Sequence, residues 1–260
     1  MKISLAQFNP TWEDKKANFE KVKNFCEKIS TNSSLLIFPE MTLTGFSMNT
    51  NELAEDLNSQ SVKFFSKLAS SKSKEIIFGM IEKSNDYYFN SLIHLSKEGE
   101  IKSVYRKIHP FSLAQEDKYF NHGNTPIITE IGEFSVGLSI CYDLRFPELY
   151  RYYSQKKVYL MINIANWPIP RIEHWKALTK ARAIENLSYF VGVNRIGSDP
   201  NGKYYGQSVV YSPSGEVLSL MTEHDELCEV EISKEAINSI REKFSFLDDM
   251  KSNQFWFNQK

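Results

Sequence analysis

Ser135-Val-Gly-Leu-Ser-Ile-Cys141-Tyr-Asp-Leu-Arg145-Phe-Pro-Glu148 is the stretch on which the fold turns. An apolar run of strand type ends on a cysteine, and Asp143 follows as a residue able to cap a helix continuing through Pro147, Glu148 and Leu149. A strand feeding directly into a helix is the repeating unit of an α/β protein, and the turn between them pushes the side chain at its apex into a cleft. At such a turn, backbone N–H groups and the positive end of the helix favour a thiolate and can hold a developing oxyanion. A buried core cysteine gives the same pattern, since free cysteine is among the most buried residue types.

Working outward from this turn, short apolar runs alternate with amphipathic segments. Strands are expected at Met1 to Phe8, Ser34 to Phe38, Glu75 to Glu82, Ser135 to Ile140, Val158 to Ile164 and Ser188 to Val193. Helices are expected at Trp12 to Ser30, Glu52 to Ser70, Arg145 to Gln155 and Ile172 to Leu187. Tyr87 to Leu95 with Ile101 to Lys107 reads as one hairpin, and Tyr204 to Val210 with Glu216 to Ser219 as a second, turning through Ser212-Pro213-Ser214-Gly215. The tail from Ser233 to Lys260 starts helical and becomes aromatic and irregular. Strand–helix alternation with two hairpins implies an α/β fold with mixed sheets. No repeat or Pro/Gly-rich linker interrupts the 260 residues, so one domain over 1–260 is expected.

Composition narrows the function. At 42% hydrophobic and 24% charged residues the chain has the makings of a packed core, unlike a disordered sequence. With 31 Lys+Arg against 32 Asp+Glu there is no basic field for phosphate backbones or anionic lipid, so neither nucleic acid nor membrane is an expected partner. The N-terminus lacks a signal-peptide core, and the longest apolar stretch, around Val158 to Ala165, is far short of a spanning helix, which makes the cytoplasm the expected location. Cys26, Cys141 and Cys228 are odd in number and widely spaced, which excludes a disulfide framework or zinc ribbon and leaves a thiol to test. Cys26 falls on a helical apolar stripe and Cys228 in a late strand, so both read as core. His94, His109, His122, His174 and His224 show no metal-ligand spacing; no metal site is expected.

Two further strand ends carry charge. Ser34-Leu-Leu-Ile-Phe-Pro-Glu40 drops from a buried run to a carboxylate, at the rim where ligands of α/β sheets collect, although a solvated loop acid has the same pattern. Ile101-Lys-Ser-Val-Tyr-Arg-Lys107-Ile-His-Pro110 ends a strand on Lys107, as a catalytic or a gatekeeper lysine would.

Together, Ile-Phe-Pro-Glu40-Met, Tyr-Arg-Lys107-Ile-His and Ser-Ile-Cys141-Tyr-Asp-Leu-Arg145-Phe-Pro-Glu148 resemble the carbon–nitrogen hydrolase (nitrilase) superfamily, over nearly the whole chain. The resemblance implies a four-layer αββα sandwich, two mixed β-sheets flanked by helices, and a cofactor-free Glu40–Lys107–Cys141 triad. It also implies a second glutamate, matched by Glu116 with Asp117 competing, and an oxyanion donor in the backbone N–H of Tyr142. Asn163-Ile-Ala-Asn-Trp167-Pro-Ile-Pro-Arg171, Ala181-Arg-Ala-Ile-Glu-Asn186 and Asn194-Arg-Ile-Gly-Ser-Asp199 are most similar to the bacterial omega-amidase branch. That branch implies a short dicarboxylate monoamide such as 2-oxoglutaramate or 2-oxosuccinamate as the small-molecule substrate. Arg171, beside Trp167, is the first candidate for its carboxylate, because a guanidinium fork suits it; Arg145 is second, with Glu148 a competing partner for it. Phe46 and Phe111 would wall the pocket, and a homodimer would form through the helices at Arg145 to Gln155 and Ile172 to Leu187. Deaminated glutathione, N-carbamoyl compounds and nitriles are the alternative substrates of relatives, and a catalytically silent binding protein is the alternative class.

Overall fold

The computed structural model describes residues 1–224 and 226–251. In chain order, its elements begin with β1 (Lys2–Ala6), α1 (Lys15–Cys26), β2 (Leu35–Ile37), α2 (Thr50–Leu53), α3 (Gln60–Lys72), β3 (Glu75–Ser84), β4 (Tyr87–Leu95) and β5 (Ile101–Arg106). The middle holds β6 (Ile128–Ile131), β7 (Phe134–Ile140), α4 (Pro147–Gln155), β8 (Leu160–Ala165), α5 (Ile172–Asn186) and β9 (Tyr189–Asn194). The last part holds β10 (Ile196–Asp199), β11 (Gly202–Tyr205), β12 (Val209–Tyr211), β13 (Val217–Leu220), β14 (Leu227–Glu231) and α6 (Lys234–Lys243).

Two six-stranded sheets result, in the orders β14-β1-β2-β3-β4-β5 and β13-β12-β9-β8-β7-β6. In each, three adjacent strands run parallel (β1, β2, β3 and β7, β8, β9) and the flanking strands pair antiparallel. The parallel strands are apolar on both faces, as strands covered from both sides must be. Leu35, Ile37 and Ile77 face inward into a core shared with Val136, Leu138, Ile162 and Val191 of the second sheet. Leu36, Ile76 and Phe78 face outward against Val22 and Phe25 of α1 and Phe65 and Leu68 of α3. Tyr153 of α4 and Trp175 and Ala183 of α5 pack with the second sheet. The fold is therefore an α/β sandwich of two mixed sheets flanked by helices, as expected.

Three local expectations need correction. The single helix expected at Glu52 to Ser70 is two: the Glu55 backbone bonds to Ile81 and Lys83 of β3, which pulls the chain out of helix, and Ser59 caps a new start by accepting from the Val62 N–H. The strand expected at Tyr204 to Val210 is broken because Gly206 and Gln207 lie in the left-handed region (φ 67° and 60°); β11 pairs instead with β10 as a separate hairpin. Asp143 does not cap α4, which starts on Pro147 with no side-chain cap. Of the tail, α6 is helical as expected, and residues 252–260 lie outside the described residues. Among the described residues no helix is long and apolar enough to cross a membrane.

Candidate active site

Glu40 stands in the turn that leaves β2. Thr42 fastens this turn to Gly79 of β3, its N–H donating to the Gly79 carbonyl (2.9 Å) and its hydroxyl accepting from the Gly79 N–H (3.2 Å). A Cβ at Gly79 would stand 2.5 Å from the Met41 nitrogen and 2.7 Å from Glu40 Cα, so only glycine lets β3 pass this close to the turn. The Glu40 carboxylate is fully buried. Its Oε1 accepts from Asn90 Nδ2 (2.7 Å) and Lys107 Nζ (3.0 Å), and its Oε2 from the Asn166 backbone N–H (2.8 Å) and Asn166 Nδ2 (3.2 Å). Four donors thus occupy the roughly four lone-pair positions of a carboxylate.

Lys107 directly follows β5, buried, and donates to both oxygens of Glu116 (2.8 and 3.1 Å) as well as to Glu40. Glu116 is itself fully buried in a short 3₁₀ turn and also accepts from Asn90 Nδ2 (2.8 Å) and the Phe111 N–H (2.5 Å). Asp117, its competitor in the sequence, is exposed. Asn90 Nδ2 therefore bridges the two carboxylates, and one ammonium sits between them. Burial alone would lower the Lys107 pKa, but Glu116 and Glu40 outweigh it and hold the ammonium above its ordinary value. Burial raises the Glu116 carboxyl, with Lys107 opposing, and the rise prevails.

Cys141 opens a 3₁₀ turn (Cys141–Arg145) at the end of β7 with φ of 44°, a left-handed conformation that costs a non-glycine residue ~1 kcal/mol or more. The surrounding contacts impose it. Asp143, fully buried, accepts from the Ile140 N–H (3.0 Å) and Tyr105 hydroxyl (2.8 Å) at Oδ2, and from the His109 N–H (3.0 Å) and Nδ1 (2.8 Å) at Oδ1. It thereby locks the cysteine turn to the segment after Lys107. The thiol is half-buried at the cavity wall. Contrary to the expectation of a stabilised thiolate, burial pushes the thiol well above its ordinary value; Glu40 adds to the rise, while Lys107 and the Asn166 backbone N–H oppose it. Cys26 is buried as expected, its thiol pushed up to about 12 by burial. Cys228 is half-buried on β14 and packs against the core shared by the two sheets, with Sγ 2.7 Å from the Ser219 hydroxyl of β13.

The cavity over Cys141 has a volume of about 230 Å³. Lys107, Cys141 and Asn166 line its reactive end, and Phe46, Phe111, Tyr142 and Trp167 supply aromatic walls. Arg145 and Arg171 also line it. The Arg145 guanidinium lies 4.8 Å over the Trp167 ring and donates through Nη2 to His174 Nδ1 (3.2 Å), not to Glu148. The Arg171 guanidinium lies 5.1 Å over the Phe111 ring. Neither arginine has a carboxylate partner among the described residues, whereas Arg106, Arg182 and Arg195 all do. Among the described residues no group of three or more His, Cys, Asp or Glu is arranged to hold a metal ion.

The structure brings together every residue singled out from the sequence: Glu40, Lys107, Glu116 and Cys141 at the reactive end, Tyr142, Phe46, Phe111, Trp167, Arg145 and Arg171 around the cavity. Sequence reasoning missed Asn90, Asn166 and the locking role of Asp143. Asn90 is a polar residue inside the apolar run of β4, and Asn166 follows a buried strand just as Glu40 does; both signals were present.

An αββα sandwich whose cavity sets a thiol beside a buried carboxylate–ammonium–carboxylate cluster has the build of a hydrolytic enzyme. The chain belongs to the carbon–nitrogen hydrolase family, whose model matches residues 2–242. It is 34% identical over 257 residues to the 2-oxoglutaramate amidase of Bacillus subtilis (strain 168), covering 97% of this chain and 98% of that protein. It is 33% identical over 258 residues to the omega-amidase YafV of Escherichia coli (strain K12), covering 98% and 99%. Among solved structures, a CN-hydrolase superfamily protein of Xanthomonas campestris with an arsenic adduct in its active site superposes with a TM-score of 0.93 at 29% identity, over 97% of each chain.

Proposed function

We propose that this protein is an omega-amidase, a thiol amidohydrolase that cleaves the terminal amide of short omega-amides such as 2-oxoglutaramate or 2-oxosuccinamate to the dicarboxylate and ammonia. The observation that carries the reading is the pair of guanidiniums, Arg145 and Arg171, that line the cavity without an acidic partner among the described residues. The cavity and its floor hold three cations, Lys107, Arg145 and Arg171, against two carboxylates, Glu40 and Glu116, a formal excess of +1. A substrate with one carboxylate neutralises it. The similarity to a 2-oxoglutaramate amidase and an omega-amidase supports the same choice.

In this mechanism Glu40 takes the proton of the Cys141 thiol as sulfur attacks the amide carbonyl. A thiol raised by burial needs such a base at the moment of attack. Glu40 has no vacant position, so one donor must withdraw; Asn166 Nδ2, at 3.2 Å the longest of the four, is the one to go. Lys107 and the Tyr142 backbone N–H hold the oxyanion, and loss of one such donor typically costs ~10²- to 10³-fold in rate. Ammonia leaves with the proton from Glu40, and a water deprotonated by Glu40 hydrolyses the thioester, returning the proton to the thiol. Glu116, bound to Lys107 at both oxygens, fixes the ammonium in place.

Ammonia release from 2-oxoglutaramate, compared with deaminated glutathione, N-carbamoyl amino acids and nitriles, tests the substrate class, and no turnover of any short omega-amide overturns it. Cys141→Ala tests the nucleophile: persistent ammonia release overturns its role. The proposal extends to a cytoplasmic homodimer formed through α4 and α5, which light scattering of the purified protein tests.

A further inference from the structure

Asn90 Oδ1 and Asn166 Oδ1, on two residues that bond Glu40, are both buried without a partner among the described residues, and of the two only Asn166 lines the cavity. Asn166, the residue after β8, stands between base and nucleophile: its backbone N–H donates to Glu40 Oε2 (2.8 Å) and also opposes the rise of the Cys141 thiol. Its side-chain nitrogen donates to the Glu40 carbonyl (2.8 Å) and to Glu40 Oε2 (3.2 Å). Its side-chain oxygen has no partner among the described residues, although the residue is only 5% exposed and lines the cavity. Turning the amide over does not help, because both partners of the nitrogen are acceptors and would then face an oxygen. A buried acceptor left unpaired is destabilising, a reason to look for its donor in what binds here.

A primary carboxamide supplies that donor. Its carbonyl oxygen takes the donors at Lys107 and Tyr142, while its NH₂ group offers N–H bonds that need an acceptor. Withdrawal of Asn166 Nδ2 from Glu40 Oε2, which makes room there for the thiol proton, leaves the side chain to adjust about its remaining bond to the Glu40 carbonyl. We infer that Asn166 Oδ1 accepts an N–H of the substrate carboxamide, so that Asn166 reads a primary amide against an ester of the same acyl group. The contact turns the nitrogen toward Glu40, which must protonate it as it leaves. This inference rests on the omega-amidase reading and adds the residue that recognises the scissile group.

The test uses succinamate and monomethyl succinate, which carry the same carboxylate and give the same succinyl thioester, with wild-type protein and Asn166→Ala. Both kcat/KM values fall in the variant, because Glu40 loses an anchor. The amide value is expected to fall about tenfold further than the ester value, the worth of one hydrogen bond at the upper end of the usual range. Equal losses, with wild-type turnover intact, overturn the inference and leave the omega-amidase reading standing. Wild-type turnover of neither compound overturns both. If Asn166→Ala does not fold, a structure of Cys141→Ala with succinamate bound decides: the amide nitrogen within about 3.2 Å of Asn166 Oδ1 supports the contact, and a separation beyond about 4 Å refutes it.

Discussion

Lys107→Met tests the electrostatic reasoning most directly. Methionine keeps most of the buried stem but removes an ammonium that donates three times, to Glu40 Oε1 and to both oxygens of Glu116. What remains is two buried carboxylates joined only by Asn90 Nδ2, at 2.7 and 2.8 Å. Breaking a buried ion pair by deleting one member costs ~3–5 kcal/mol, and with two carboxylates stranded the upper end is expected near pH 8. That is a large share of the ~5–15 kcal/mol that holds a typical domain folded. The sign of the pH dependence follows from Glu116, which burial already raises in the presence of Lys107 and raises further without it. A carboxyl whose folded pKa lies above its unfolded value contributes its stability below the unfolded pKa and loses it as pH rises through the folded one. The variant's deficit against wild type should therefore shrink on acidification, by ~1.4 kcal/mol per pH unit for each extra proton bound, between about pH 8 and pH 5. Urea unfolding followed by tryptophan fluorescence at both pH values reads it. A deficit under ~1 kcal/mol, or one that does not change with pH, would mean that Lys107 is a solvated strand-end lysine in solution and that the buried cluster is wrong.

Other substitutions probe separate links. Cys141→Gly should melt higher than Cys141→Ala, by ~1 kcal/mol of stability, because glycine relieves the left-handed backbone at φ 44°; equal melting temperatures would remove the strain from the account. Asp143→Asn presents an NH₂ group to some of the four donors that Asp143 satisfies, and should cost ~2–4 kcal/mol in denaturant unfolding while changing the iodoacetamide reaction rate at Cys141. Arg145→Met and Arg171→Met should raise KM for succinamate by ~10- to 100-fold with little change in kcat, and leave propionamide, which has no carboxylate, unaffected.

The reactive groups are legible in the sequence because each stands at a strand end: Glu40 and Cys141 interrupt the apolar runs ending at Phe38-Pro39 and Ile140, and Lys107 ends the alternating strand Ile101 to Arg106. In a parallel α/β sheet such interruptions collect at one rim. The same rule applied to Ala165-Asn166 would have found Asn166, but an amide at a strand end announces no chemistry until its neighbours are known. Short elements were harder to read. The helix break at residues 54–59 is made by backbone bonds from Glu55 to β3, a partner more than 20 residues away that local propensity cannot register. The thiol's environment is hard to read for a related reason: the turn suggests help from N–H groups, whereas desolvation and Glu40, visible only in three dimensions, outweigh it and raise the thiol.

The pairing of β1 with β14 sets Lys2 opposite Glu231, so the first sheet gains its last strand from nearly the far end of the chain. That sheet positions Glu40 and Lys107, while Cys141 is held by the other. A nascent chain emerging from the ribosome thus carries all three groups before the first sheet has its last strand. Contacts of such long sequence separation form slowly. Refolding should accordingly show secondary structure first and turnover late, with the appearance of activity timing the docking of the two sheets.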